Sequence, residues 1–333
     1  MAEEMQRNLA LELARVTEAA AMAAVRWMGR GDKNGSDQAA VDAMRSMLDR
    51  IDMDGVVVIG EGEKDEAPML YVGEELGTGR PPRVDIAVDP IDGTRLLALG
   101  MPGAIAVLAL AERGSMYSAP PGVYYMNKIA VGRRAKGAID ITASVAENIA
   151  SVSRALDRDE GDITIMVLDR PRHEQLIKEI RATSARVRLI PDGDVAGAIT
   201  AAEDGTGVDM LMGSGGAPEA VIAACALKAM GGDMQCKLFF RDDEERKNAE
   251  ASGVNVNEIF GLNDLVKSDD AFFAATGITN GELLHGVRYG TGQATTESVV
   301  MRSRSGTIRY IRALHQREKL SRIGGQGSSE NSG

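Results

Sequence analysis

Aromatic side chains make up only 4% of this 333-residue chain, so its core has to be assembled from Ala, Val, Leu, Ile and Met. Cysteine occurs twice, at Cys225 and Cys236, without the paired spacing of a zinc site. Both read as reduced thiols of a cytoplasmic protein. Positive charge is in deficit: a formal net charge of −11 argues against nucleic acid or an anionic membrane as partner. An anionic substrate would have to be held by local Arg and Lys or by metal ions. No uncharged apolar run approaches the ~20 residues that cross a bilayer. The Ala-rich beginning is broken by Glu12, Arg15, Glu18 and Arg26, and no secretory signal is legible there. A Walker A run is missing too. Gly213-Ser-Gly-Gly-Ala-Pro-Glu219 matches the dinucleotide fingerprint poorly, because Glu219 falls where a pyrophosphate would be repelled. Pro218 there is better placed as the first residue of a helix, with Glu219 in its first turn and able to hold a cation.

The length allows a substantial core in one large domain or two ordinary ones. Leu9, Leu13, Val16, Ala20, Ala23 and Trp27 recur at spacings of four and three, one face of a long amphipathic helix. Gly29, Gly31 and Gly35 end it. Ser36 or Asp37 is expected to cap a second helix with apolar positions Val41, Met44, Leu48 and Ile51. Val56-Val57-Val58-Ile59 predicts a central strand, followed by Gly60-Glu61-Gly62-Glu63, whose glycines keep the Glu61 carboxylate uncrowded.

The most informative stretch is Val84 to Thr94. Ile86-Ala87-Val88 reads as a buried strand that should stop at Pro90, which has no N–H for a ladder. Asp89 and Asp92 then lie three residues apart on a turn closed by Gly93, where the amides of Gly93 and Thr94 can meet an anion. By itself an Asp-Pro pair is more often a plain strand-ending turn. Further on, Ala104 to Leu110 is a strand, residues 117–125 form a Tyr-, Pro- and Gly-rich loop carrying Tyr124 and Tyr125, and Lys128 to Val131 is another strand. From residue 160 the pattern strand, turn, helix repeats three times: Asp169-Arg-Pro-Arg-His173 follows the first strand, Pro191-Asp-Gly-Asp194 the second, and Gly213 to Glu219 the third. That rhythm predicts parallel βα units with ligands beyond the carboxyl ends of the strands. Residues 241–255 read as a solvated helix, Ala271 to Ala275 as a last strand, 295–313 as a hairpin turning at Ser305-Gly306, and 316–333 as a disordered tail. The expected division is a metal-site half at 1–145 and a parallel βα substrate-binding half at 146–315.

If Asp37, Glu61, Asp89, Asp92 and Glu219 converge, charge becomes the problem. Two carboxylates about 4 Å apart repel by roughly 4 kcal/mol at an effective dielectric of 20. Several such pairs survive ionised only around divalent cations, and all-oxygen ligands favour Mg²⁺ or Mn²⁺ over Zn²⁺.

Gly31-Asp-Lys-Asn, Val58 to Tyr71, Val88-Asp-Pro-Ile-Asp-Gly-Thr94, Asp169-Arg-Pro-Arg-His173, Pro191-Asp-Gly-Asp194, Gly215-Gly-Ala-Pro-Glu219 and Ala275-Thr-Gly-Ile-Thr279 occur in one order. In that order they closely resemble the class II fructose-1,6-bisphosphatases of bacteria, a branch of the lithium-sensitive sugar-phosphatase superfamily. Met101-Pro-Gly-Ala and Pro120-Pro121 depart from the pattern. The resemblance implies an α/β fold, a layered α-β-α-β-α sandwich, and a dimer or tetramer. It implies metal ligands at Asp37, Glu61, Asp89, Asp92 and Glu219. Catalytic roles would fall to Thr94, Lys33, Asp37 and Glu61. Substrate contacts would be Asp92, Gly93, Thr94, Tyr125, Arg170, Pro171, Arg172, Asp192, Gly193, Asp194 and Gly216. The expected activity is metal-dependent hydrolysis of the 1-phosphate of fructose 1,6-bisphosphate, with Li⁺ as inhibitor. Sedoheptulose 1,7-bisphosphate is the alternative substrate, and an inactive sugar-phosphate-binding regulator the alternative outside the class.

Overall fold

The strand Ile105–Glu112 shows how the fold is layered. Ile105, Val107 and Ala109 face one apolar cluster while Ala106, Leu108 and Leu110 face another, so both sides of the sheet are covered and the strand is apolar without a break. The structure is a computed structural model, and it describes residues 8–60, 69–120, 123–316, 318 and 319. Residues 61–68 (Glu61 and Glu63 among them), Pro121, Gly122 and the tail from residue 320 lie outside the described residues.

The first sheet holds β1 (Asp54–Ile59), β2 (Glu75–Leu76), β3 (Arg83–Asp92), β4 (Ile105–Glu112) and, from the far end of the chain, β11 (Phe272–Gly277), β12 (Arg288–Tyr289), β13 (Gln293–Arg302) and β14 (Thr307–Gln316). Its order is β12-β13-β11-β4-β3-β1-β2, with β14 on β13. The second holds β5 (Tyr125–Val131), β6 (Thr164–Leu168), β7 (Arg186–Ile190), β8 (Met210–Gly216), β9 (Asp233–Phe239) and β10 (Ile259–Gly261) in the order β10-β9-β5-β8-β6-β7.

Helices α1 (Leu9–Ala24) and α2 (Lys33–Leu48) cover the outer face of the first sheet. Helix α3 (Thr94–Leu99) follows β3, and α4 (Val145–Leu156) and α5 (Glu174–Arg181) cover the outer face of the second sheet. Helices α6 (Asp194–Ala202) and α7 (Ala217–Met230) fill the layer between the sheets. Helix α7 is accordingly apolar all round, with Ala220 through Leu227 buried, because it has a sheet on either side. Charge-rich α8 (Asp243–Ala251) lies on the surface, and the short α9 is Leu262–Leu265. The arrangement is the five-layer α-β-α-β-α sandwich.

Several local expectations need correction. Val56–Ile59 does not form a central strand: β1 has only the two-residue β2 beyond it. Ser36 and Asp37 do not cap α2, because Asp32 takes that place and accepts from the Gly35 N–H at 2.9 Å. Strand β3 runs through Pro90 to Asp92 instead of stopping, since the ladder with β4 slips by one residue between Asp89 and Asp92. Proline fits in that bulge, where no ladder N–H is needed. Tyr125 opens β5 rather than closing the preceding loop, and β8 continues through the glycines to Gly216. The second sheet is mixed: only β6, β7 and β8 are parallel, while β5 and β9 pair antiparallel. Cys225 and Cys236 are free and buried, and burial pushes both thiols up to about 12. Among the described residues no helix is long and apolar enough to cross a membrane.

Candidate active site

The carboxyl ends of β3, β6, β7 and β8 and the start of β5 surround one cavity of about 420 Å³. Asp89, Asp92, Gly93, Thr94, Tyr125, Arg170, Arg172, Asp192, Gly193, Asp194, Gly216 and Glu219 all line it. Acids from distant parts of the chain therefore do share a pocket. Pro171 does not line the cavity but starts the single 3₁₀ turn Pro171–His173. Lys33 is exposed and outside the lining; Asp37 lies behind Thr94.

Each wall has a local cause. The bulge in β3 lets the Ile91 N–H donate to Asp89 Oδ1 at 3.0 Å and turns Asp92 inward. Gly93 (φ 92°) has the left-handed backbone that joins this strand to α3. The Thr94 hydroxyl donates to the Ile91 carbonyl at 3.1 Å. Burial raises the Asp37 carboxyl, opposed by the Thr94 hydroxyl and the Lys33 charge.

Two turns are strapped across the cavity in both directions. Asp92 Oδ2 accepts from Ala196 N–H at 3.1 Å in the first turn of α6, and Asp192 Oδ2 accepts from Arg95 N–H at 3.2 Å in the first turn of α3. Asp192 also accepts from Arg170 Nη2 at 2.7 Å, while Arg170 Nη1 donates to the Pro191 carbonyl at 2.5 Å. Arg172 lies over the Tyr125 ring at 5.4 Å from its centroid.

The glycine run of β8 gives two carboxylates the room they need. A Cβ at Gly215 would stand 1.8 Å from Asp194 Oδ2, and one at Gly216 would stand 1.8 Å from Glu219 Oε2. Both carboxylates occupy the space a side chain there would need.

Lys128 was not singled out from the sequence. It is 4% exposed, and its Nζ donates to Asp194 Oδ2 at 2.5 Å beneath the acids. Burial alone would lower its pKa, but the charges of Asp194 and Glu219 overcome that and raise it. The only local signal was a lysine directly before the apolar run Ile129-Ala130-Val131.

Even with Lys128 present, negative charge is in excess. Burial, and then the charges of Asp194, Glu219 and Asp192, hold the Asp92 carboxyl well above the usual carboxylate range, against the Ala196 hydrogen bond. Glu219 is raised by burial and by Asp194, against Lys128, and its Oε2 is buried with no hydrogen-bond partner. Among the described residues no three acidic, His or Cys side chains form a ready-made coordination shell. An orphaned carboxylate oxygen beside other hard oxygen donors nevertheless fits a divalent cation.

A family model described as bacterial fructose-1,6-bisphosphatase, glpX-encoded, matches residues 7–315. The chain belongs to this bacterial fructose-1,6-bisphosphatase family. It is 48% identical over 332 residues to the fructose-1,6-bisphosphatase class 2 of Haemophilus influenzae, covering 96% of this chain and 99% of the relative. It is 46% identical over 324 residues to fructose-1,6-bisphosphatase 1 class 2 of Escherichia coli K12, covering 93% and 96%. As a member of the bacterial fructose-1,6-bisphosphatase family, the chain joins its cavity from both sheets: the acids at the carboxyl end of β3 belong to one and the arginines after β6 to the other.

Proposed function

We propose that this protein hydrolyses the 1-phosphate of D-fructose 1,6-bisphosphate to fructose 6-phosphate and inorganic phosphate, with Mg²⁺ or Mn²⁺, as a cytoplasmic enzyme of gluconeogenesis. One observation carries the reading: a single cavity has crowded acids at one wall and two arginines at another, as a sugar with two phosphates requires. Near-half identity over almost the whole chain to proteins of that name supports it.

Asp37, Glu61, Asp89, Asp92 and Glu219 are the residues that would hold the cations. When bound, these would offset phosphate charge and lower the pKa of an attacking water. Thr94 orients that water, with Asp37 behind it as the proton acceptor, because a free hydroxyl is too weak a base to act unaided. Lys33 supplies positive charge close to Asp37. Arg170 and Arg172 bind the distal phosphate, for which a guanidinium fork is suited. Tyr125 packs under Arg172, and Asp192 and Asp194 face the sugar hydroxyls. Gly93, Gly193 and Gly216 bring the backbone close to substrate at the same wall, and Pro171 sets the turn that aims both arginines.

The test is phosphate release from a panel of sugar mono- and bisphosphates, with and without Mg²⁺ or Mn²⁺. Preferred release from fructose 1,6-bisphosphate, dependent on the cation and inhibited by Li⁺, is expected. Arg172→Ala is expected to raise KM for the bisphosphate by about tenfold or more, the loss of one charge-assisted contact, with kcat little changed. Equal weakening of fructose 1-phosphate, which lacks the distal group, would remove that role.

The raised carboxyls predict a second effect. An acid whose folded pKa lies above its unfolded value costs nothing at low pH, and its cost grows as pH rises past the ordinary carboxylate range near 4. Asp92 and Glu219 are raised in this way. Cation binding relieves that cost, so Mg²⁺ or Mn²⁺ is expected to raise Tm more at about pH 8 than at about pH 5. Thermal unfolding with and without chelator measures this, and an equal shift at both pH values would detach the ion from these acids.

A further inference from the structure

His173 follows Arg172 directly and is 3% exposed. Its Nδ1 lies 2.7 Å from the Leu168 carbonyl, which can only accept, so Nδ1 carries the proton. Nε2 is then a bare lone pair, and it accepts from the Ser214 N–H at 2.7 Å. The Ser214 Oγ is 2.9 Å from the same Nε2 and receives the Arg172 Nε–H at 2.7 Å, so its own proton shares the Nε2 lone pair with the Ser214 N–H. Arg172 Nη2 also donates to the Ser214 carbonyl at 2.8 Å. Every donor in this chain has one acceptor, running from Arg172 through Ser214 and His173 to Leu168. The remaining guanidinium N–H groups are left for a ligand in the cavity that Arg172 lines.

Two backbone features leave room for the ring. Pairing of β6 with β8 stops at Met166↔Leu211, so beyond that point the edge of β8 has no strand beside it, and the imidazole satisfies the Ser214 N–H there. Gly213, at φ 135°, has a backbone that side-chain-bearing residues rarely adopt, and a Cβ there would also press to 3.1 Å from the ring, so glycine is favoured. Burial, followed by the charges of Arg172 and Arg170, pushes the imidazole pKa down, in keeping with a neutral acceptor at Nε2.

We propose that His173 is a positioning residue. Acting through Ser214, its imidazole fixes the Arg172 guanidinium in the orientation that receives the distal phosphate of the substrate. This rests on the proposed bisphosphatase reading and extends it to a residue that touches no ligand.

The experiment measures kcat and KM for fructose 1,6-bisphosphate and fructose 1-phosphate. It compares wild type with His173→Asn, His173→Gln, Ser214→Ala, Arg172→Ala and the His173→Asn/Arg172→Ala pair. His173→Asn keeps a donor toward Leu168 but loses the acceptor toward Ser214. It is expected to raise KM for the bisphosphate about tenfold, with kcat within about twofold, as for loss of one hydrogen bond to a charged group. Its kcat/KM for fructose 1-phosphate should not move. His173→Gln, which restores an acceptor near the Nε2 position, is expected to recover most of the affinity. Adding His173→Asn to Arg172→Ala should cost nothing more. Equal loss on both substrates, or full additivity with Arg172→Ala, overturns the proposal. If the His173 variants do not fold, Ser214→Ala in the same comparison decides it. Should Arg172→Ala itself weaken both substrates alike, the distal-phosphate reading fails, and the coupling between His173 and Arg172 alone then decides the positioning role.

Discussion

Thr94→Ala is expected to lower kcat for phosphate release by about 10²- to 10³-fold while KM changes by less than about threefold. The hydroxyl is held at the first residue of α3 by its 3.1 Å bond to the Ile91 carbonyl, and it moderates the raised Asp37 carboxyl behind it. In the mechanism proposed above, a group so placed contributes chiefly when the attacking water gives up its proton, so its removal is expected to leave the proposed ground-state contacts with Arg170 and Arg172 in place. Thr94→Ser keeps the hydroxyl and should retain most of the rate. Steady-state kinetics at saturating cation measure both variants; an alanine variant with unchanged kcat would take Thr94 out of the mechanism.

Lys128→Met should destabilise the protein by about 3–5 kcal/mol, the usual cost of stripping one partner from a buried ion pair. Lys128 and Asp194 are only 4% and 8% exposed and meet at 2.5 Å, so water cannot replace the lost ammonium. Glu219, whose charge also raises Lys128, loses part of its compensation in the same step. Lys128→Met/Asp194→Asn removes both charges and should recover a large share of the loss. Urea unfolding in the presence of chelator isolates this effect from cation binding. Equal midpoints for wild type and Lys128→Met would show that the pair holds nothing together.

Legibility followed the range of the interaction. The amphipathic period of α1 and the turn at Ser305-Gly306 depend on neighbours a few residues away, and both elements formed where expected. The errors lie where a neighbouring strand outvoted a local rule. Pro90 was expected to end a strand, yet β4 continued alongside and absorbed it in a bulge. Gly213 to Gly216 read as a turn, yet pairing with Lys128 to Tyr125 keeps them in β8. Lys128 shows locally only as a lysine beside an apolar run, because the partner that explains its role is 66 residues away.

What the sequence by itself determined is the inventory and its family: the ordered motifs, the surplus of acids over cations and the runs apolar enough to be covered on both faces. Such features are composition and spacing, complete within a few residues. Only the tertiary structure decided that Asp92 reaches α6 across 104 positions and Asp192 reaches back to α3 across 97, and that Glu219 retains a buried oxygen without a partner. Contacts of that range arise from how two sheets pack around a shared helical layer, and no period or turn along the chain encodes them.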